Sequence, residues 1–412
     1  IVGINLSNYY FDHIYHYVLR ILLNKIYYIC AMKTCQQIIN PFVLQPYVSK
    51  DLFCDRRYEL EEMVSHIRSG ANLTLISMRR LGKTGLIFRC FEELEALGYK
   101  TYYADIYATL CLDDFVKTLS EAIIRNAKQN VVEKFFNAIG GIRPLVSFDA
   151  VSGHPQLSIT YQSNAQKQTT LKALFDYLES LGSKVILAID EFQQIREYES
   201  VRMEALLRSY IQNLKNVRFI FCGSHKKLMT DIFSSEKNPF YQSTVNIPLH
   251  KLDTVVYAQF IKEKFNAAGK EIPDDVVAFI IEWSRCHTFY TQTLCHYVYM
   301  LSGASVSMEN VYKALEVIFN AETDRFYTIR NMLTKGQWKY LAAIAKEQTV
   351  KQPMASSFLE KYKLGAASSS KRHLESLVDK ELVLETLTGE GTEYCVYNVF
   401  LSRWMERYLD IP

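Results

Sequence analysis

"SMRRLGKTGLIFRC", residues 77–90, decides how the rest of the chain is read. The apolar run NLTLIS (72–77) leads into it, Gly82 marks a turn, and Lys83 and Thr84 follow at once. From Lys83 to Leu97 the apolar spacing is helical, and Gly98 stops it. A phosphate-binding loop reads GxxxxGK[ST] between a strand and a helix. Residues 77–84 keep the second glycine, the lysine and the hydroxyl, and put Ser77 where the first glycine stands. These residue types suit the chemistry. Gly82 lets the backbone approach a phosphate, the Lys83 ammonium can reach β- and γ-phosphates, and the Thr84 hydroxyl can bind Mg²⁺. The amides of residues 80–84 sit at a helix N-terminus, whose partial positive charge favours an anion. The candidate nucleotide-binding set is therefore Arg79, Arg80, Leu81, Gly82, Lys83, Thr84 and Gly85. A basic turn that happens to open a helix is the plain alternative, and the loop alone does not separate the two.

A second stretch separates them. In KVILAIDEFQQI (184–195) apolar residues run straight into Asp190–Glu191, where a buried strand ends. Ligands of open α/β sheets bind at those strand ends. Asp190 is the expected partner of Thr84 around Mg²⁺, directly or through water, and Glu191 the expected general base toward an attacking water. Two acids capping the next helix would be the ordinary reading of the pair by itself. A phosphate loop about 100 residues earlier favours the functional one, and leaves room for an additional strand between the two. A third run, FIFCGS (219–224), ends a strand in a small polar residue. Ser224 is the candidate to sense or orient the attacking water, with His225 as its rival.

Between these stretches the elements alternate. Strands are expected at 72–77, 99–107, 184–190 and 217–223. Helices are expected at 83–97, 112–129, 169–181 and 200–214. This order predicts an α/β core, a parallel sheet covered on both faces. The stretch 141–162 interrupts it with two strands around an SGHP turn. Beyond residue 250 the pattern is helical, at 254–268, 274–284, 288–302 and 307–320. The last eighty residues place helices at 335–346, 355–362 and 369–380 before LVLETLTGEGTEYCVYN (382–398), two alternating runs around a Gly-rich turn. Three helices and a β-hairpin make a winged helix-turn-helix. The expected divisions are a doubtful N-terminal extension at 1–31, an ATPase domain at 32–250, a helical lid at 251–325 and a winged-helix domain at 326–412.

Composition narrows the partners. The 412 residues are 49% hydrophobic and 22% charged, ordinary for a globular chain, and the net charge of +3 advertises no global field for nucleic acid. Nine scattered cysteines without a CxxC pair read as reduced thiols of a cytoplasmic protein. The first 31 residues are rich in Ile, Tyr and Asn, yet Asp12, His13, His16, Arg20, Asn24 and Lys25 interrupt every apolar run. No membrane span of about 20 apolar residues is expected there. The natural start is expected at Met32, with an amphipathic N-terminal helix as the alternative.

Taken together, these stretches resemble the archaeal-type ATPase family of P-loop proteins, a branch of the STAND class related to AAA+ ATPases. The resemblance runs from about residue 41 to the C-terminus. NPF, centred on Pro41, and LFCDRRYELEEM (52–63) resemble the family's N-terminal box, with Asp55, Arg56 and Glu59 at matching positions. RRLGKTGLI (79–87) matches the family's RR-x-GKT-x-LI, and Ser77 resembles the serine found in many members' loops. AIDEFQQI (188–195) and FIFCGSHKKLMTDIF (219–233) are also similar. CHTFYTQTLCHYVY (286–299) resembles the lid segment, which usually opens Gly-x-Pro-Tyr; Cys286-His287-Thr288-Phe289 lacks both the glycine and the proline. TKGQWKYLAAIAKE (334–347), LGAASSSKRHLESLVDKELV (364–383) and YCVYNVFLSRWM (394–405) resemble the winged-helix end of bacterial members.

The resemblance implies ATP and Mg²⁺, with hydrolysis driving a conformational switch. It places Arg56 beside the adenine, although Arg56 and Glu59 also read as a helix-surface pair three apart. Arg79 and Arg80 either brace the loop or face the γ-phosphate. In SSSKRHLESLVDKE (368–381), the recognition helix of the winged helix, Ser368–Ser370 are expected to cap and Lys371, Arg372 and His373 to meet DNA. From Thr334 onward there are 11 Lys/Arg and 10 Asp/Glu, a net of +1, which is weak support for DNA. A protein partner, a homo-oligomer and an autoinhibitory role for this segment stay open, as does a non-hydrolysing, nucleotide-gated regulator or scaffold.

Overall fold

The computed structural model describes residues 40–45, 47–125, 135, 145–148, 155–158, 164–199, 202–389 and 391–409. The expected extension at 1–31, its alternative helix and the Met32 start lie outside these residues. So does the turn joining the two strands of the 141–162 stretch.

After helix α1 (Arg57–Arg68) the chain alternates as expected: β1 (Leu73–Ile76), α2 (Lys83–Ala96), β2 (Lys100–Asp105) and α3 (Leu112–Ile124). Two short strands, β3 (Leu145–Phe148) and β4 (Pro155–Ser158), pair antiparallel apart from the main sheet. Then come α4 (Asn164–Glu179), β5 (Val185–Asp190), α5 (Met203–Ile211), β6 (Val217–Gly223), α6 (Lys226–Ser234) and β7 (Val245–Pro248). The main sheet is parallel, in the order β2-β5-β6-β1-β7. The strand between the loop strand β1 and the acidic strand β5 is thus β6, from later in the chain. The edge strand β7 was not expected, because VNIP is only four residues long and ends in proline.

Alternation along each strand builds two cores. Val185, Leu187 and Ile189 of β5 face one side with Phe219 and Phe221 of β6, against α3, α4 and α5. Ile186 and Ala188 face the other with Leu73, Leu75 and Ile220, against α1 and α2. Successive strand side chains point to opposite faces, so a strand buried on both sides reads as an unbroken apolar run. VILAID is buried at every position.

The helical part begins with α7 (Thr254–Ala267), α8 (Asp274–Trp283), α9 (Thr288–Leu301) and α10 (Met308–Asn331). The winged helix follows: α11 (Lys335–Glu347), α12 (Ser356–Lys361), α13 (Ala367–Asp379), the antiparallel hairpin β8 (Val383–Thr388) and β9 (Gly391–Val396), and α14 (Val399–Tyr408). The junction between lid and winged helix matters for motion. Helix α10 is continuous through residues 325 and 326, where a domain boundary was expected. A single core runs from Tyr257, Ile280 and Leu294 to Leu341, Leu377, Phe400 and Met405, so lid and winged helix share one apolar interior. Phe42, from the N-terminal box, is sealed in the same core.

Candidate functional site

β1 delivers the chain to the loop at the C-terminal end of the sheet, and α2 carries it away. Gly82, at φ +99°, is the N-cap residue of α2, and Arg80 also takes a left-handed backbone at φ +63°. Glycine adopts the first without a Cβ penalty. Ser77 in place of the first glycine is accommodated: its hydroxyl donates to the Met78 carbonyl at 3.1 Å and the residue is buried. The Lys83 ammonium folds back into the loop and donates to the carbonyls of Ser77 and Met78 at 3.2 and 3.1 Å.

Beside the loop stand the strand ends. The Thr84 hydroxyl donates to Asp190 Oδ2 at 3.1 Å across 106 residues of chain. The same oxygen accepts from the Tyr103 phenol at 2.6 Å. Tyr103 lies on β2, in register with Ala188 on the neighbouring strand. Burial and the adjacent Asp190 carboxylate raise its phenol well above the usual tyrosine range, so it stays a donor. A hydroxyl and a carboxylate oxygen side by side form a hard donor set that fits Mg²⁺.

Glu191 takes a left-handed backbone, φ +55°, as the strand breaks into a short 3₁₀ turn. That bend aims its side chain along the sheet toward β6. Its Oε2 accepts from the Ser224 hydroxyl at 2.8 Å, the Ser224 amide at 3.4 Å and the Gln193 amide group at 2.5 Å. His225, the rival of Ser224, is used elsewhere: its Nδ1 accepts from the Leu228 amide and caps α6. Gln193 was part of the acidic motif but had no role on sequence. Here it is buried, and a Cβ on Gly223 would come within 2.4 Å of its Oε1.

The loop and acids form one wall of a cavity of about 570 Å³, a size suited to a small-molecule ligand. Arg79, Arg80, Leu81, Gly82, Lys83, Thr84, Gly85, Asp190, Glu191 and Arg56 all line it. Tyr47 lines it too, together with Phe53 and Cys54 from the N-terminal box. Burial pushes the Cys54 thiol up to about 12. Arg56 pairs with Glu59 at 2.8 Å, as the helix-pair reading expected, but the pair is not on a free surface. Arg56 is 4% exposed, and its guanidinium donates to the Leu81 carbonyl at 3.4 Å, so it braces the loop from below.

The lid reaches the same carbonyl. Thr288, the first residue of α9, donates its hydroxyl to Leu81 O at 3.3 Å, and Arg80 lies 4.2 Å from the Phe289 ring centroid. Cys286, where the resemblance expected glycine, keeps a left-handed φ of +50° without it. Thr288, where it expected proline, occupies the first helical position, in which proline is tolerated. The exchange of proline for threonine adds a hydrogen bond to the phosphate loop.

Two contacts carry the loop to the winged helix. The Arg79 amide donates to the Tyr397 phenol oxygen at 2.7 Å, and its guanidinium lies 3.1 Å from Glu381 Oε2. Neither partner was expected, since a separation of some 300 residues leaves no sequence signal. On α13 the expected trio divides. Lys371 and Arg372 are exposed, whereas the His373 ring packs against Gly336, where a Cβ would meet it at 2.4 Å. The serine cap is corrected too: the N-cap residue is Ala366, and Ser368–Ser370 lie inside the helix. Ser369 and Ser370 donate to backbone carbonyls of Ala366 and Leu364 instead.

The described residues contain no helix long and apolar enough to cross a membrane. An ATPase domain predominantly from Archaea matches residues 53–284, more than half of the chain, and a "Probable winged helix domain" matches residues 324–407. Among solved structures, the Walker-type ATPase PABY2304 of Pyrococcus abyssi is similar over 89% of this chain and 99% of its own, with a TM-score of 0.63 at 19% identity. The ORC2 protein of Aeropyrum pernix, in ADPNP–ADP complexes, is similar over 90% of this chain and 96% of its own, with a TM-score of 0.55 at 14% identity. Its ADP form gives 0.52, also at 14% identity, over 89% of this chain and 95% of its own. At such identities the likeness establishes the fold. No curated protein matches the chain by sequence.

Proposed function

The chain belongs to the ATPase domain family predominantly from Archaea and is a nucleotide-binding P-loop ATPase, and we propose that it hydrolyses ATP with Mg²⁺ to drive a conformational switch. The observation that carries this reading is the convergence of Lys83, Thr84, Asp190 and Glu191 on one cavity, with Ser224 hydrogen-bonded to Glu191 from the end of the neighbouring strand.

In this reading the loop amides and Lys83 hold the β- and γ-phosphates. Thr84 and Asp190 hold Mg²⁺, which would neutralise charge on the phosphate oxygens. Glu191 takes the proton from a water whose oxygen bonds to the γ-phosphorus while the bond to the ADP oxygen breaks, and Ser224 orients that water. Arg56 supports the nucleotide side of the loop. Arg79 and Arg80 stand close enough to the phosphate region to respond to it. The shared interior of lid and winged helix favours a switch in which both move as one body against the sheet.

The test is ATP turnover with Mg²⁺ in residues 32–412, beside Lys83→Ala and Glu191→Gln. Loss of nucleotide binding is expected in the first. In the second, binding should be retained and kcat should fall by about 100-fold or more, the usual weight of a general base. Turnover in Glu191→Gln equal to that of the parent would refute the assigned base. Tight binding without turnover in the parent would favour the nucleotide-gated regulator.

A second reading adds DNA, favoured by the exposure of Lys371 and Arg372 in the first turns of α13. A net charge of +1 beyond Thr334 limits this to a weak, salt-sensitive contact. Anisotropy of a labelled duplex should show binding that Lys371→Glu with Arg372→Glu removes. Equal binding by the variant would leave the winged helix to a protein partner.

A further inference from the structure

Arg79 is the residue where the phosphate loop, the catalytic strand ends and the winged helix meet. Its Nε–H donates to Ser224 Oγ at 3.1 Å, its amide donates to the Tyr397 phenol oxygen at 2.7 Å, and its NH1 lies 3.1 Å from Glu381 Oε2. Glu381 and Tyr397 stand together at the root of the β8–β9 hairpin. Glu381 follows α13 in a left-handed backbone, φ +54°, and the Tyr397 amide donates to the Leu382 carbonyl at 2.9 Å. The hairpin root therefore presents a carboxylate and a phenol to one residue of the phosphate loop.

The consequence follows from the hydrogen count of a hydroxyl. Ser224 Oγ has one proton to give. While it accepts from Arg79, that proton is directed to Glu191 Oε2, 2.8 Å away. The same carboxylate oxygen already accepts from Gln193 and from the Ser224 amide. Held in this way, Ser224 has no proton left for a water or a phosphate oxygen, and Oε2 of Glu191 is committed to protein donors. We propose that Glu381 and Tyr397 are positioning residues of the ATPase site, which act through Arg79 on Ser224 and restrain Glu191 while the winged helix is docked. The Arg79–Glu381 pair is partly exposed, with side chains 44% and 31% accessible, so the ion pair alone would do little. The three contacts converging on one residue set the position of its guanidinium.

This inference rests on Glu191 as the base, so Glu191→Gln is run as a control in the same full chain. Glu381→Gln and Tyr397→Phe each keep the shape of the side chain and remove one hold on Arg79. Each is expected to raise kcat for ATP about threefold or more with KM little changed. In an Arg79→Ala background the same substitutions should do nothing, because the relay has been cut. Altered docking or folding of the winged helix alone would change the parent and the Arg79→Ala background alike. A kcat that is unchanged or lowered by both substitutions, or raised equally in the two backgrounds, would overturn the proposal. Turnover persisting in Glu191→Gln would instead refute the base assignment, which is a separate failure.

Discussion

Tyr103, on strand β2, and Thr84, in the first turn of helix α2 and 19 residues earlier, donate to one oxygen of Asp190, at 2.6 and 3.1 Å. The phenol fixes the carboxylate from behind while the threonine meets it from the loop. Groups that orient a metal-binding carboxylate are commonly worth about 10–100-fold in metal affinity or activity. Tyr103→Phe is therefore expected to raise the Mg²⁺ concentration for half-maximal turnover by about tenfold, with KM for ATP unchanged at saturating Mg²⁺. A Mg²⁺ titration of turnover checks it; an unchanged midpoint would leave the phenol a packing role only.

Gly223 ends β6 under Gln193 and Met229. A Cβ there would lie 2.4 Å from Gln193 Oε1 and 2.6 Å from the Met229 side chain. Gly223→Ala should cost about 1–3 kcal/mol as an overpacked site, and should lower kcat by displacing the amide that holds Glu191. Thermal unfolding and turnover of one preparation measure both. Full activity with reduced stability would separate Gln193 from the catalytic geometry.

His287 sits between the loop and the lid, 6% exposed, with its Nδ1 unpartnered. Burial first, and the charge of Lys251 second, hold it down to about 4, against 6.5 for the free side chain. The unfolded chain therefore binds a proton that the fold refuses. Stability is complete above about pH 6.5 and declines as pH falls toward 4, by about 3 kcal/mol in all. Urea midpoints between pH 7 and 4.5 should fall more steeply for the parent than for His287→Asn. Parallel curves would remove His287 as the cause.

Phe400 of α14 packs its ring 4.8 Å from Tyr290 of α9 and 6.0 Å from Trp283 of α8. Truncation of a buried phenylalanine costs about 3–5 kcal/mol. Because lid and winged helix share one interior, Phe400→Ala should loosen both together. Hydrogen exchange should quicken in α8 and α9 as well as in α14. Loosening confined to residues 383–409 would show that the two parts are separately stable.

Much of this architecture was legible in the chain. The strands β1, β5 and β6 and the loop between β1 and α2 announce themselves because a strand buried on both faces must be apolar throughout, and a phosphate loop must carry Gly82, Lys83 and Thr84 in succession. Asp190, Glu191 and Ser224 follow from the same logic, as polar residues placed where apolar runs stop. Four-residue β7 escaped because its pattern is too short to have a period, and the left-handed turn at Cys286 because the residue there is not glycine.

What the sequence by itself determined is therefore the local chemistry: which segments bury, where they break, and which side chains stand at the breaks. Only the tertiary structure decided the long-range choices. It put β6 between β1 and β5, so that Ser224 meets Glu191 and His225 turns to cap a helix. It set Tyr103 on Asp190, folded His373 inward while leaving Lys371 and Arg372 outside, and brought Glu381 and Tyr397 onto Arg79. Periodicity and residue type report each segment's own need for burial and hydrogen bonds, whereas the partner that meets the need depends on the order and packing of the whole sheet.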